Sequence, residues 1–253
     1  MSRPVFEPAH DRHAAAGWEP SIVKMAGLRF AWKGPNAFSL SIRDFTLPAG
    51  QRLLIVGPSG SGKSTFLSLL AGIVTPVTGR LEILGTDTSA LSSSARDQFR
   101  AEHFGIIFQM FNLLPYGSVV DNVLLPLSFA AKRRARAQEQ GSVEAEAERL
   151  LSSLGLKGSD FQGVAASKLS VGQQQRVAAA RALIGRPEIV IADEPTSALD
   201  RNRQAAFLDL LFSEIAAAGS ALVMVSHDET LSSRFDSVIH FEDIAVAERG
   251  GAP

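Results

Sequence analysis

The stretch that most constrains the fold is "RLLIVGPSGSGKST", which covers residues 52–65. Its continuous apolar run, cut by a glycine, is typical of a buried parallel strand. The following "KSTFLSLLAG" predicts a helix that ends at Gly72. The glycine-rich segment between them satisfies the pattern G-x-x-x-x-G-K-[ST] in the context that this pattern requires. The sequence therefore predicts a phosphate-binding loop between a strand and a helix.

The chemistry of this loop favours a nucleoside triphosphate. Its glycines let backbone N–H groups face inward at the positive end of a helix dipole. Lys63 is expected to reach the β- and γ-phosphates, and the Ser64 hydroxyl to coordinate Mg²⁺. A glycine-rich connection without a ligand is the alternative, but it gives the lysine no packing purpose. The predicted phosphate-binding residues are Gly57, Pro58, Ser59, Gly60, Ser61, Gly62, Lys63, Ser64 and Thr65.

Polar side chains at the ends of other apolar segments are expected to complete this site. "EIVIADEP" and "ALVMVSH" read as buried strands, with a helix over residues 203–218 between them. Asp193 is predicted to hold Mg²⁺, and Glu194 to act as the general base on the attacking water. Gln109 follows "FGIIF" and is expected to reach the metal or the water; His227 is expected to contact the γ-phosphate. Each of these residues taken alone reads equally well as surface.

Alternation of strands and helices predicts an α/β fold with a mostly parallel core sheet. Residues 21–47 predict an antiparallel β lobe, and about 89–186 an inserted helical subdomain. We expect a single domain over 21–247, between a disordered tail at 1–20 and another tail at 248–253. Within the insertion, one apolar helix face is predicted from Ala147, Leu150, Leu151 and Leu154. The basic cluster is interpreted as a solvated helix surface or a partner contact; it comprises Lys132, Arg133, Arg134 and Arg136.

Composition narrows the function classes. The chain has 253 residues, 45% hydrophobic, with a net charge of −1, so no overall field would gather nucleic acid or a membrane surface. The absence of cysteine excludes disulfides, thiolate metal sites and thiol nucleophiles. Apolar runs such as "LLIV" are too short to span a bilayer. Any membrane contact is therefore expected to go through a partner.

These motifs together resemble the ATP-binding cassette family, the nucleotide-binding subunits of ABC transporters, from about residue 21 to 242. The matching elements are Walker A "GPSGSGKS", the glutamine loop at Gln109, "LSVGQ" at 169–173, Walker B "IVIADE", "SALD" at 197–200 and the switch His227. The order along the chain is that of the family. The resemblance implies an ATPase that uses ATP and Mg²⁺.

Several residue roles follow from the resemblance alone. In the family two cassettes pair head to tail, so Ser170, Gly172 and Gln173 are expected to contact the ATP of the opposite subunit. Asp200 joins the nucleotide-contacting set in the same way. Trp32 is the expected adenine-stacking aromatic, with Phe30 as the alternative. A second cassette, most simply a second copy, and an integral membrane permease are the implied partners.

One position departs from the family pattern. Val171 stands where the family usually has glycine; a β-branched residue fits there with a negative φ and is costly with a positive one. We expect valine to be tolerated, because Ser170 and Gly172 are kept. Residues 102–127 look like the macrolide-export and lipoprotein-release type. Four apolar residues in this range are candidates for a permease groove, with burial inside the helical lobe as the alternative: Phe111, Leu113, Leu114 and Tyr116. An importer subunit, or a nucleotide-gated switch without a permease, is the alternative. The expected location is cytoplasmic, at the inner membrane, through the permease.

Overall fold

The computed structural model describes residues 21–34, 37–139, 141–157, 161 and 163–249; the predicted tail at 1–20 lies outside them. The strands are β1 Ser21–Ala31, β2 Phe38–Pro48, β3 Arg52–Val56, β4 Thr78–Ile83, β5 Thr86–Asp87, β6 Phe104–Ile107, β7 Ile189–Asp193, β8 Ala221–Ser226, β9 Ser237–His240 and β10 Ala245–Arg249. The α-helices are α1 Lys63–Leu70, α2 Ser93–His103, α3 Val119–Leu124, α4 Ala131–Ala137, α5 Val143–Ser153, α6 Val171–Leu183, α7 Arg201–Ala218 and α8 Phe241–Ile244. Short 3-10 turns cover Thr88–Ala90, Leu125–Ser128, Ala166–Lys168 and Glu229–Arg234.

A parallel sheet in the order β6-β7-β8-β3-β9 forms the centre of the fold. Strands β3, β7 and β8 are almost fully buried, as their unbroken Val, Ile and Leu runs predict. Val56 pairs with Ser226, and Asp193 with Val225, so these three strands end at one edge of the sheet. That edge receives the phosphate-binding loop and both predicted carboxylates.

An antiparallel sheet in the order β10-β2-β1-β4-β5 covers one side of the core. Strands β1 and β2 have alternating burial, which confirms the predicted antiparallel lobe. The lobe also recruits β4, β5 and β10 from outside residues 21–47. Because β10 extends to Arg249, which pairs with Phe38, the predicted start of the C-terminal tail at 248 is wrong. The short edge segment "AVAER" carries too little alternation to be recognised.

The predicted insertion at about 89–186 is largely helical, but it contains one strand of the core. The four-residue strand β6 lies within this range and pairs in parallel with β7, so one strand of the core sheet interrupts the helical subdomain. The predicted face of α5 is confirmed, since Ala147, Leu150, Leu151 and Leu154 are all buried.

The basic cluster is a solvated surface only in part. Lys132 and Arg134 are exposed, but Arg133 is 2% exposed. The Arg133 guanidinium donates to the carbonyls of Phe104 at 2.8 Å, Ala182 at 2.9 Å and Ile184 at 2.9 Å. Burial lowers the pKa of Arg133 to about 10. This side chain fastens α4 to the end of α6 and the start of β6, which no local sequence pattern could predict.

In the part of the chain that the structure describes, no helix combines the length and the apolar character that crossing a bilayer requires.

Candidate nucleotide-binding site

A cavity of about 860 Å³ lies at the carboxyl edge of the parallel sheet. It brings together predicted residues from five separate parts of the chain. Its lining consists of Trp32, Phe38, Ser59, Gly60, Gly62, Lys63, Ser64, Thr65, Gln109, Asp193, Glu194, Ser197 and His227. Of the remaining predicted loop residues, Gly57, Pro58 and Ser61 line an adjoining cavity of about 670 Å³.

The phosphate-binding loop leads into α1 without a capping side chain. Gly62 is the N-cap residue at φ 109°, and it makes no side-chain cap hydrogen bond. The first N–H groups of the helix therefore remain available to an anion. The buried Ser61 hydroxyl also lacks a hydrogen-bond partner among the described residues. An uncapped helix and an unsatisfied hydroxyl on one glycine-rich loop fit a bound phosphate chain.

Lys63 is held by the loop itself. Its Nζ donates to the carbonyls of Gly57 at 2.7 Å and Pro58 at 2.9 Å, and lies 4.0 Å from the Glu194 carboxylate. Burial lowers the pKa of the Lys63 ammonium, while the carboxylates of Glu194 and Asp193 act in the opposite direction. The ammonium thus stays in the site with carbonyl partners that a phosphate could replace.

The donor set for Mg²⁺ joins α1 to the end of β7. Burial raises the pKa of the Asp193 carboxyl, and a hydrogen bond from the Ser64 hydroxyl partly opposes this shift. The Ser64 hydroxyl, the Asp193 carboxylate and the Gln109 amide line the same cavity. Each offers an oxygen atom of the kind that Mg²⁺ binds. No cluster of three acidic or histidine side chains occurs among the described residues, so these residues alone do not make a closed metal cage.

Glu194 has a strained backbone and a fixed carboxylate. Its φ is +45°, a conformation that is uncommon for a residue other than glycine, and its N–H donates to the Val225 carbonyl at 3.1 Å. The carboxylate is 11% exposed and lies 2.5 Å from His227 Nδ1. Because a carboxylate only accepts, we assign the proton to Nδ1, which leaves Nε2 for a ligand. Glu194 and His227, two of the three predicted catalytic residues, are therefore in direct contact.

The two candidates for stacking on adenine differ in exposure, and an aromatic wall of Trp32 and Phe38 lines the cavity. Trp32 is 48% exposed and lines the cavity, whereas Phe30 is 7% exposed. Their rings meet edge to face, with centroids 5.0 Å apart, so Phe30 supports the indole from the core. Phe38 also lines the cavity, and sequence reasoning missed it because it read as one position of a strand face.

The residues of "LSVGQ" lie away from this cavity. Ser170, Gly172 and Gln173 line a different one of about 660 Å³. Ser170 caps α6 in a capping box: the Ser170 N–H donates to Gln173 Oε1 at 2.8 Å, and the Gln173 N–H to the serine hydroxyl at 3.4 Å. Val171 is the first helical residue, half exposed, and is not among the positive-φ residues. Its backbone is therefore compatible with valine.

The segment after Glu194 is held by residues whose roles were not predicted. Asp200 lies outside the nucleotide cavity and caps α7 by accepting from the Arg203 N–H at 3.0 Å. Gln175, 1% exposed on α6, donates to the Pro195 carbonyl at 2.8 Å. The run of three glutamines at 173–175 does not by itself indicate which of them faces the core.

Known proteins resemble this chain over most of its length. A family model described as "ABC transporter" matches residues 40–197, more than half of the chain. The Lipoprotein-releasing system ATP-binding protein LolD of Novosphingobium aromaticivorans is 42% identical over 225 residues, covering 88% of this chain and 96% of the relative. The Macrolide export ATP-binding/permease protein MacB of Rhodopseudomonas palustris is 37% identical over 240 residues, covering 92% of this chain and 35% of the relative.

Solved structures give the same picture. A dimeric ATP-binding cassette in a post-hydrolysis state, bound to ADP and Pi, superposes with a TM-score of 0.74 at 30% identity, covering 91% of this chain and all of that one. A dimeric structure of the same protein, described as a bacterial ABC transporter cassette, gives 0.75. The chain spans about a third of the length of the MacB relatives. These matches confirm the family and the fold expected from the motifs: the chain belongs to the ABC transporter family.

Proposed function

We propose that this chain binds and hydrolyses ATP with Mg²⁺, pairs head to tail with a second copy, and drives an integral membrane permease. The observation that carries this proposal is the convergence of Lys63, Ser64, Asp193, Glu194 and His227 on one cavity. A protein that only binds nucleotide needs neither a base nor a histidine against it. The relatives' names, which refer to macrolide export and lipoprotein release, support an exporter or release type over an importer.

The chain's own residues divide the reaction among them. The uncapped start of α1 and Lys63 bind the phosphates, and Ser64, Asp193 and Gln109 would hold Mg²⁺. Bound Mg²⁺ supplies charge neutralisation at the phosphates. Glu194 orients and deprotonates the attacking water, and its contact with His227 holds the carboxylate in place. Trp32 supplies the stacking surface for the base.

The second copy supplies what this cavity lacks. The start of α6 is exposed and lies on a separate cavity, so it cannot complete the site of its own chain. Its capped helix start has a positive end that suits a γ-phosphate approached from outside. Dimeric cassettes among the solved relatives support a homodimer.

Turnover of the purified chain tests this proposal. We expect Mg²⁺-dependent release of phosphate from ATP, and we expect Glu194→Gln to lower the rate about a hundredfold or more while ATP still binds. Glu148→Gln, which removes an exposed charge on α5, is the matched control. Normal turnover by Glu194→Gln would remove Glu194 as the base, and no turnover by the unsubstituted chain or the control would contradict an ATPase function.

The four candidate residues for a permease groove differ in their exposure. Of the four residues proposed for a groove, Phe111 is buried, Leu113 and Leu114 are half-buried, and Tyr116 is 82% exposed. An open groove of about 690 Å³ lies beside the glutamine loop. Its apolar lining consists of Phe104, Ile106, Phe108, Leu125, Pro126 and Phe129. We place the permease segment in this groove, which holds the chain at the cytoplasmic face of the membrane.

Phe129 gives the test of that surface, because its ring is 64% exposed at the groove. Phe129→Asp should abolish co-purification of the chain with an integral membrane protein from detergent-solubilised membranes. Tyr116→Asp, an exposed aromatic outside the groove lining, is the comparison variant. If Phe129→Asp still co-purifies with the membrane protein, the groove is excluded as the permease surface. If neither variant nor the unsubstituted chain co-purifies with a membrane protein, a switch without a permease is favoured.

A further inference from the structure

Arg181, near the carboxyl end of α6, is a buried arginine with backbone carbonyls as its partners. It is 8% exposed, and none of the ion pairs among the described residues includes it. Its guanidinium donates to the carbonyl of Asn112 at 2.7 Å and to that of Phe111. Burial lowers the pKa of Arg181. A buried guanidinium with both partners on one short loop indicates that the loop depends on it.

The loop that Arg181 holds is a strained turn. Phe111 has φ 58° and Asn112 has φ 49°, so two successive residues other than glycine adopt the left-handed conformation. Within the turn, the Phe111 N–H donates to the Phe108 carbonyl at 2.9 Å, and the Asn112 N–H to the Met110 carbonyl at 2.7 Å. Such a conformation persists where surrounding contacts fix it. The two hydrogen bonds from Arg181 reach the carbonyls of both left-handed residues.

Gln109 lies inside this turn and lines the nucleotide cavity. Arg181 itself does not line that cavity, but it lines the groove beside the turn together with Asn112. Its hydrogen bonds therefore fix the backbone that carries Gln109 without contacting a nucleotide. Because Ser170 caps the start of α6 and Arg181 lies near its end, α6 joins the "LSVGQ" segment to the glutamine loop of the same chain.

We propose that Arg181 is a positioning residue, which locks the turn at 108–112 so that the Gln109 side chain is presented to the metal. This inference rests on the proposed function of Gln109 as a ligand of Mg²⁺. Loss of the guanidinium releases both carbonyls, lets Phe111 and Asn112 relax from the left-handed region, and moves Gln109 away from the metal. The metal requirement of the reaction should then rise, while the phosphate-binding loop stays intact.

Two variants separate this role from ordinary packing. Arg181→Met keeps the apolar stem and removes both hydrogen bonds, and Arg181→Lys keeps the charge and one donor group. Arg136→Met is the matched control: Arg136 is half-buried and also donates to a backbone carbonyl near the end of α6, that of Gly185 at 2.8 Å. It also pairs with Glu188 at 2.8 Å and donates to the Glu102 carbonyl, and none of its hydrogen bonds reaches the glutamine loop.

The experiment measures hydrogen exchange of the peptide covering 108–114 and the Mg²⁺ concentration that gives half-maximal ATP turnover. For Arg181→Met we expect faster exchange confined to that peptide and an Mg²⁺ requirement about tenfold higher. We expect Gln109→Ala to raise the requirement similarly, Arg181→Lys to recover part of the loss, and Arg136→Met to leave both readouts unchanged.

Each outcome decides a different point. Unchanged exchange at 108–114 in Arg181→Met overturns the claim that Arg181 holds the turn. Faster exchange with an unchanged Mg²⁺ requirement overturns the positioning role. If the unsubstituted chain hydrolyses no ATP, the proposed function fails, the role toward the metal falls with it, and the exchange data still decide whether Arg181 holds the turn.

Discussion

Two glycines at the starts of two helices, Gly62 before α1 and Gly172 in α6, stand in opposite situations. Gly62 has φ 109°, and a Cβ added to it would lie 2.7 Å from the ring of Phe38. Gly172 is an ordinary helical residue, and an added Cβ would meet no atom of the described structure within 4 Å. The fold of this chain requires glycine at the first position and has no use for it at the second.

The two glycines belong to two halves of a nucleotide site. The half-site around Gly62 is complete within the chain, and the half-site around Gly172 is not. Around Gly62, the loop, the carboxylates and the aromatic wall close on one cavity. Around Gly172, the helix start is capped and exposed. The cavity that it lines shares no residue with the nucleotide cavity of its own chain. We infer that the requirement at Gly172 lies on another molecule, as a head-to-tail dimer demands.

Gly62→Ala should have the largest effect, because it combines a strained φ with a clash against Phe38. We expect the free energy of unfolding to fall by about 1–3 kcal/mol and ATP binding to be lost. Denaturant unfolding and equilibrium binding of ATP check the two parts. A Gly62→Ala protein with unchanged stability and affinity would contradict the claim that the loop needs glycine there.

Gly172→Ala should separate stability from turnover. Alanine in a helix with free space raises the free energy of unfolding by about 0.5–1 kcal/mol. Turnover should nevertheless fall about tenfold, because the methyl group enters the space of the partner's nucleotide. Thermal unfolding and phosphate release, measured on one preparation, check this. Raised stability with unchanged turnover would show that nothing approaches this position.

Trp32→Ala should weaken the half-site that is complete within the chain without unfolding it. The indole is half exposed, so little stability is expected to be lost. Stacking of this kind contributes about 0.5–1.5 kcal/mol, which predicts an ATP affinity lowered up to about tenfold. Titration with ATP, with Phe30→Leu as the comparison from the core, checks it. A larger effect in Phe30→Leu than in Trp32→Ala would show that Phe30, and not Trp32, stacks on the base.

Val171→Gly should have the smallest effect. Valine is the first helical residue with an unstrained backbone, so restoring the family's glycine relieves nothing within the chain. We expect the ATPase rate to change by less than about tenfold. Steady-state phosphate release checks it. A rate raised more than that would mean that Val171 restrains the approach of the second subunit.

The parts of the fold that were predictable are those written in consecutive residues. The strand β3, its glycine loop and α1 are one continuous pattern, and the carboxylates at the end of β7 follow from where parallel strands end. Motif order along the chain then implied the family, which the comparisons confirm.

Contacts between distant segments were not predictable. The burial of Arg133 depends on carbonyls of β6 and α6, and the contact from Gln175 to Pro195 spans 20 residues. Strand β10 joins the antiparallel sheet through pairing with β2, about 200 residues away in the chain. In each case the local sequence is compatible with several environments, and the tertiary partner decides.

A mixture of two impaired variants tests most directly whether the site is shared between copies. Lys63→Ala lacks the phosphate-binding lysine and should have little turnover, and Gly172→Ala, with a blocked helix start, should keep about a tenth of the normal rate. In a mixed dimer, one site combines the intact loop of one chain with the intact α6 start of the other. We predict that mixing restores ATP turnover well above the sum of the separate rates. A mixture whose rate equals that sum would contradict the shared site.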